Sequence, residues 1–270
     1  MTIINAHRGD PLRYRENTMP AFQSAVKLGA DCMELDIRAS LDEQAVVLHD
    51  ETLERLWGIT EYVSALSYAE ILALTTDGDR YVPRLEEVLS SFKLPVMVDF
   101  VDDSAVYPII RALVDCGATD RCLISSGNVL ALKDIRRHLN DVAIALTWDD
   151  IIPPRADLLK ELDVQYFNPY YRLYQDDFVR GMASQHDGAI NGIQMSDIQE
   201  ILARRHDHPE WYQHDALCGA HLVRRMHDAG IETTAWTVDD STTMREMINL
   251  GVDLITTNDI CALMEVRNER

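Results

Sequence analysis

The chain is 270 residues long, of which 47% are apolar and 26% are charged, a composition typical of ordinary globular proteins. These values exclude a disordered, collagen-like or coiled-coil chain, and the length allows one large domain or two small ones. With 25 basic and 45 acidic residues, the formal net charge is -20, which opposes binding to nucleic acid and to anionic membranes. We therefore expect a small-molecule partner, no nucleic acid and no stable membrane association.

The amino terminus and the cysteines indicate a reducing compartment. The first residues contain neither the basic segment nor the long apolar segment of a secretion signal, and no run approaches the roughly 18 apolar residues of a membrane span. The cysteines are odd in number, widely spaced and lack a CxxC pair, which favours buried thiols over disulfides or a metal site. We expect a cytoplasmic protein, and the sequence carries no signal for its oligomeric state.

Short apolar runs alternate along the chain with segments of helical periodicity. The first strand is predicted at Ile3 to Ala6, and a helix from Met19 follows before Gly29. The later predicted strands are Cys32 to Ile37, Pro95 to Val101, Cys122 to Ser125, Val142 to Thr147, Val164 to Asn168, Glu232 to Val238 and Asp253 to Thr256. The later predicted helices are Val106 to Val114, Val129 to His138, Asp157 to Leu162, Leu222 to Ala229, Thr243 to Leu250 and Ile260 to Val266.

About eight strands, most of them followed by a helix, predict a parallel sheet in an α/β protein. The length suits a closed (β/α)8 TIM barrel that spans residues 1–270 as a single domain. An open doubly wound sheet is the alternative, but neither GxGxxG nor GxxxxGK[ST] follows any strand. Residues 172–214 interrupt the alternation and are predicted to be a rim insertion near the sixth strand, although the GAINGIQM segment within them could be a strand.

Two acidic residues on the second strand indicate a cation site. Alternation along Cys32 to Ile37 places Glu34 and Asp36 on one face of the strand. Two stacked carboxylates on the inner face of a barrel repel each other, and a hard divalent cation relieves that repulsion. The alternative is a pair of half-exposed acids at a strand end, paired with Arg38.

Two histidines follow strands. His7 comes directly after the first strand, at the end of the barrel where active sites of this fold form, and His49 follows the apolar run Ala45 to Leu48. Acid–base cleavage of a phosphodiester requires one group that takes a proton and another that gives one near neutral pH. The positions of His7 and His49 favour this role over a structural one.

Several segments together resemble the glycerophosphodiester phosphodiesterase family in order and spacing. They are His7-Arg8-Gly9, Glu16-Asn17-Thr18, Gly29-Ala30-Asp31, Glu34-x-Asp36, Val47-Leu48-His49-Asp50-Glu51-Thr52-Leu53 with Arg55, Val82-Pro83-Arg84-Leu85-Glu86-Glu87-Val88-Leu89, Phe167-Asn168-Pro169, Ala235-Trp236-Thr237-Val238 and Gly251-Val252-Asp253. The resemblance spans nearly the whole chain except the insertion, and its amino-terminal part is the most specific.

The resemblance implies roles for individual residues. It makes His7 and His49 the acid and base, and it makes Glu34 and Asp36 ligands of a divalent cation, Mg²⁺ or Ca²⁺. It places Arg8 on the phosphate and Trp236 beside the glycerol moiety.

Glu16 and Asn17 fall near His7 on the rim, where they would orient it or contact substrate. Helix-start chemistry before Thr18 is an equally good explanation of these two residues.

The third strand departs from the family pattern. The family usually has Glu-Ile-Lys where this chain has Asp99-Phe100-Val101. Asp99 retains a third metal carboxylate on a shorter side chain, whereas Val101 removes an ammonium group and would make the pocket floor more apolar.

Three functions fit these residues. The first is metal-dependent hydrolysis of a glycerophosphodiester to glycerol phosphate and an alcohol. The second is a phospholipase D-type reaction on a lipid phosphodiester, and the third is a weakly active barrel that binds metal and phosphorylated ligands.

Overall fold

A computed structural model describes residues 1–149, 154–169, 174 and 219–269. The predicted insertion at 172–214, apart from Tyr174, lies outside the described residues.

The strands are β1 Ile3–Ala6, β2 Cys32–Ala39, β3 Ala45–Val47, β4 Val96–Phe100, β5 Cys122–Ser126, β6 Ala143–Trp148, β7 Tyr166–Pro169, β8 Glu232–Ala235 and β9 Leu254–Thr257. The helices are α1 Met19–Leu28, α2 Glu54–Trp57, α3 Tyr68–Thr75, α4 Leu85–Ser91, α5 Val106–Asp115, α6 Val129–His138, α7 Ala156–Leu162, α8 Gly219–Asp228, α9 Ser241–Leu250 and α10 Ile260–Asn268.

The parallel strands form a closed barrel. Their order is β1, β9, β8, β7, β6, β5, β4 and β2, and β2 returns to pair with β1. The closing register joins Asn5 to Cys32 and Ala6 to Met33. The predicted TIM barrel is therefore confirmed, and the open doubly wound sheet is wrong.

Side-chain alternation divides the barrel into an outer apolar layer and an inner layer that is apolar at one end of the barrel and polar at the other. On β2, Met33, Leu35 and Ile37 join the large core between the sheet and the helices. Inside the barrel, one end is closed by a small apolar cluster that includes Cys32, Met97, Leu123, Ala145 and Leu254. Because strands of a TIM barrel carry functional groups at their carboxyl ends, the polar residues beyond this cluster mark the mouth.

The apolar run at residues 45–48 forms a strand outside the barrel alternation. β3 pairs antiparallel with the end of β2, with Ile37 opposite Val47 and Ala39 opposite Ala45. This hairpin turns the chain back toward the mouth, because β3 runs against the direction of the barrel strands. Among the described residues, no helix is both long and apolar enough to cross a membrane.

Candidate active site

His7 lies at the first strand exit. Its backbone N–H donates to the Thr257 carbonyl oxygen over 3.0 Å, which continues the pairing of β1 with β9. Its ring Nδ1 lies 2.8 Å from Oδ1 of Asn258. Burial lowers the pKa of His7 below its ordinary value, and the hydrogen bond to Asn258 offsets only part of that effect. His7 is therefore mostly neutral at neutral pH.

The turn after His7 depends on left-handed backbone at two positions. Arg8 has φ 55° and Gly9 has φ 84°. This conformation aims the Arg8 backbone N–H at the Glu34 carboxylate, 2.9 Å away. A Cβ on Gly9 would lie 2.7 Å from the backbone carbonyl carbon of Ala21 in α1, so only glycine fits between this turn and the helix.

Three carboxylates share the inner face of β2 and β4. Glu34 and Asp36 alternate inward on β2, and Asp99 on β4 is the register partner of Asp36. Burial raises the pKa of Glu34 well above its ordinary value, and the charges of Asp36 and Asp99 add to the increase. Burial, followed by the charge of Asp36, raises the pKa of Asp99 to about 7, although Ser125 hydrogen-bonds to it. The mouth thus holds more negative charge than its own cations neutralise.

Arg8 supplies the main positive charge among these acids. Its guanidinium forms an ion pair with Asp36 (Nε to Oδ2, 3.0 Å) and another with Glu16 (2.8 Å). Asn17, whose φ is 56°, donates from Nδ2 to Asp36 over 2.7 Å. Glu16 and Asn17 therefore hold Arg8 and Asp36 in place, and no hydrogen bond from either residue to His7 is present.

His49 lies at the other end of the hydrogen-bond network that begins at Arg8. It follows β3, and the exposed fraction of its side chain is 47%. Its Nδ1 lies 2.7 Å from Oδ1 of Asp50. Arg55 bridges Asp50 to Glu16, with nitrogen–oxygen distances of 2.5 Å and 2.7 Å. Hydrogen bonds from Arg55 and His49 outweigh the effect of burial on Asp50 and lower its pKa.

A small cavity opens at the mouth of the barrel. Its walls combine the acids Glu34 and Asp99 with small polar side chains and Trp236. Asn168 is buried in the wall, and none of the described residues hydrogen-bonds to its Oδ1. The Trp236 side chain is 45% exposed, as expected of a ring that offers its face to a ligand. The cavity therefore combines carboxylate oxygens, small polar groups and one aromatic face within reach of a small molecule.

The sequence model of the glycerophosphoryl diester phosphodiesterase family matches residues 7–262. The chain belongs to this family. It is accordingly an enzyme of the phosphoric diester hydrolase class, and the resemblance noted in the sequence is confirmed.

Relatives and solved structures agree with this membership. The chain is 26% identical over 273 residues to a glycerophosphodiester phosphodiesterase of Caldanaerobacter subterraneus, with 96% of this chain and 94% of that protein covered. A glycerophosphodiester phosphodiesterase structure from Thermotoga maritima has a TM-score of 0.72 at 19% identity and covers 99% of this chain and 98% of that chain. A phosphodiesterase structure from Oleispira antarctica, in complex with the product sn-glycerol-3-phosphate, has a TM-score of 0.71 at 18% identity and covers 99% of this chain and 97% of that chain. At these identities, the structures support the fold alone.

The carboxylates suit the divalent cation on which the family generally depends. Glu34, Asp36 and Asp99 offer hard oxygen donors, and burial together with the neighbouring acids raises the pKa of Glu34 and Asp99, an effect that a bound cation would oppose. In the described ranges, no group of three or more Asp, Glu, His or Cys side chains has an arrangement that could bind a metal ion. Asp36 instead forms an ion pair with the guanidinium of Arg8.

Val101 does not form the apolar pocket floor expected from the sequence. It lies one residue beyond the end of β4, its exposed fraction is 66%, and it is absent from the cavity wall. The substitution of valine for the family's lysine therefore removes a cation from an exposed position beyond β4, and not from the cavity wall.

Sequence reasoning assigned no role to Asp50, Arg55 or Asn258, although each contacts a predicted site residue. Asp50 and Arg55 fall within the family-like segment around His49, and Asn258 directly follows the last barrel strand. The position of Asn258 at a strand exit is the same signal that identified His7.

Proposed function

We propose that the protein hydrolyses a glycerophosphodiester to glycerol phosphate and an alcohol. The observation that carries this proposal is a single polar network at the barrel mouth. It runs from His49 through Asp50, Arg55 and Glu16 to Arg8, which contacts the acids of β2. This network links His49 to the carboxylates that we propose to hold the cation, and His7 directly precedes Arg8 in the chain.

The two histidines have different surroundings, which assigns their roles. His7 is held neutral by burial, so its free ring nitrogen can take the proton of the attacking oxygen. His49 is exposed and has a carboxylate 2.7 Å from Nδ1, which orients its ring. We therefore assign His7 as the base and His49 as the acid that protonates the leaving alcohol.

Glu34, Asp36 and Asp99 would hold the divalent cation, Mg²⁺ or Ca²⁺. Bound there, it would neutralise charge that builds on the non-bridging phosphate oxygens. Arg8 offers a guanidinium to the same phosphate, and Trp236 provides an apolar face for the glycerol carbons. Asn168 in the cavity wall offers an amide to the glycerol hydroxyl groups.

Product release from glycerophosphocholine tests the proposal. Activity should require Mg²⁺, Ca²⁺ or Mn²⁺ and disappear with EDTA. His7→Gln and His49→Gln should each lower kcat by roughly 10²–10⁴-fold. The control is His138→Gln, because His138 lies on α6 and its ring packs against Tyr107. Full activity in either active-site variant would remove that histidine from the mechanism.

A lysophospholipase D reaction is the second candidate. Over 124 residues the chain is 40% identical to a human lysophospholipase D, with 40% of each chain covered. Lysophosphatidylcholine in the same assay separates the two functions. We expect faster release from glycerophosphocholine because the formal net charge of -20 opposes access to an anionic lipid surface.

A further inference from the structure

We propose that Asn258 and Asp239 are positioning residues that hold His7 in the tautomer with a proton on Nδ1, so that Nε2 is free to act as a base. The inference deepens the proposed function and rests on His7 being its base. Neither residue needs to contact substrate for this role.

The barrel topology brings the three residues together. His7 follows β1, Asn258 follows β9 and Asp239 lies beyond β8, while β9 pairs with both β1 and β8. Oδ1 of Asn258 lies 2.8 Å from Nδ1 of His7. Nδ2 of Asn258 donates to Oδ2 of Asp239 over 2.7 Å. The amide therefore connects a carboxylate to the imidazole.

Hydrogen-bond chemistry sets the direction of this connection. An ionised carboxylate only accepts hydrogen bonds, so the NH₂ group of Asn258 must face Asp239. The amide oxygen must then face His7, and an oxygen acceptor requires a proton on Nδ1. A neutral imidazole carries one ring proton, so Nε2 keeps its lone pair.

Asp239 is itself fixed by two further donors. The backbone N–H of Asn258 donates to its Oδ1 over 2.8 Å, and the Thr257 hydroxyl donates to the same oxygen over 3.1 Å. With both carboxylate oxygens engaged, Asp239 has one orientation relative to the β9 exit. The amide of Asn258 therefore has one orientation as well.

This arrangement differs from that of His49, whose Nδ1 lies directly against Asp50. An amide oxygen carries no net charge, so it orients the ring of His7 without the strong stabilisation of an imidazolium that a carboxylate gives. A relay through an amide thus suits a base that must begin neutral, whereas direct contact with a carboxylate suits an acid.

Asp239→Asn tests this relay from Asp239 through Asn258 to His7, because it replaces one carboxylate oxygen with an NH₂ group. Position 239 would then carry its own NH₂ group, so the Asn258 amide could turn and present NH₂ to His7. That orientation favours the tautomer with the proton on Nε2. The matched control is Asp240→Asn, because Asp240 caps α9 through the backbone N–H groups of Thr242 and Thr243, and asparagine caps helices equally well.

The direct readout is ¹⁵N NMR of histidine-labelled protein, with the His7 signals assigned by their loss in His7→Gln. We expect the wild type and Asp240→Asn to show protonated Nδ1, and Asp239→Asn to shift toward protonated Nε2. In the Mg²⁺-loaded enzyme, kcat for glycerophosphocholine should fall at least about tenfold in Asp239→Asn, with little change in KM. This loss is smaller than the roughly 10²–10⁴-fold cost of removing a base. An unchanged His7 tautomer in folded Asp239→Asn would overturn the relay.

The double variant Asp239→Asn/Asn258→Asp provides a rescue. It returns a carboxylate acceptor to Nδ1 of His7 and lets the new amide at position 239 donate to it. We expect the Nδ1-protonated signature to return, and its absence would contradict the relay even if the single variant failed to fold. The NMR readout does not depend on turnover, so it tests the relay separately from the proposed function. If the proposed function were wrong, His7→Gln would remain active.

Discussion

Asp36 and Asp99 are register partners on the neighbouring parallel strands β2 and β4, so their carboxylates leave the sheet side by side on its inner face. Two like charges at this spacing are costly unless a cation joins them. The pair therefore forms the centre of the proposed cation site, with Glu34 one inward position below Asp36.

The first prediction is that Asp36→Asn weakens Mg²⁺ or Ca²⁺ binding at least about tenfold, because it removes one of the charged oxygen donors that such cations prefer. Isothermal titration calorimetry measures the effect. Asp77→Asn is the control, since Asp77 forms an ion pair with Arg80 on the surface. Equal affinity in wild type and Asp36→Asn would rule out this residue as a ligand.

The second prediction concerns the stability of the metal-free protein. Asp99 has a pKa of about 7 in the folded state, against about 3.9 in an unfolded chain. Between these values the folded state binds the extra proton, so Asp99 makes the free energy of unfolding fall as pH rises, and its effect levels off above about pH 7.

Asp99→Asn should remove this contribution. In EDTA, urea unfolding at pH 5 and pH 8 should show that the stability of Asp99→Asn relative to wild type increases with pH. Asp77→Asn should show no such trend. A constant difference between Asp99→Asn and wild type would contradict the raised pKa of Asp99.

The third prediction is that Arg55→Gln lowers kcat by at most about fivefold. Arg55 joins Asp50 to Glu16, but its side chain is 46% exposed. Exposed ion pairs contribute roughly 0.2–1 kcal/mol, which corresponds to a rate factor below about five. Steady-state kinetics with Arg80→Gln as the control tests this, and a loss above a hundredfold would show that Arg55 contacts the substrate directly.

The fourth prediction is that Gly9→Ala destabilises the protein by roughly 2–5 kcal/mol, from about 1–2 for left-handed backbone and about 1–3 for overpacking against Ala21. Gly117→Ala separates the two effects. Gly117 has φ 56°, but no atom lies within 4 Å of an added Cβ. Urea unfolding should show a clearly larger loss at Gly9, and equal losses would mean that the contact with α1 is unimportant.

The fifth prediction is that Val101→Lys increases kcat/KM for glycerophosphocholine several-fold. Val101 is exposed one residue beyond the end of β4, where an added ammonium would attract a phosphodiester toward the mouth. Val114→Lys on exposed α5 is the control. A decrease, or no change, would show that a cation at position 101 does not assist the substrate.

The sequence predicted those site features that depend on local periodicity. Alternation on one strand placed Glu34 and Asp36 together, and the exits of apolar runs located His7 and His49. Both rules act over a few residues, because strand geometry and chain direction determine the result.

Other features depend on contacts that no local pattern contains. The left-handed backbone of Arg8 turns its N–H toward Glu34, and propensity alone does not predict that conformation for arginine. The antiparallel pairing of β3 depends on the partner it meets rather than on its own apolar run. Tertiary context therefore determined the ion pairs that surround the predicted carboxylates.

The contact of His7 with Asn258 joins residues separated by 251 positions. During synthesis, His7 therefore leaves the ribosome long before Asn258 does. β1 leaves the ribosome first, but one of its two edges pairs with β9, which is made near the end. Until then, that edge of β1 has no partner and the His7 ring lacks its acceptor. Because such distant pairings form slowly, a nascent chain that already contains both histidines and all three acids should still be inactive.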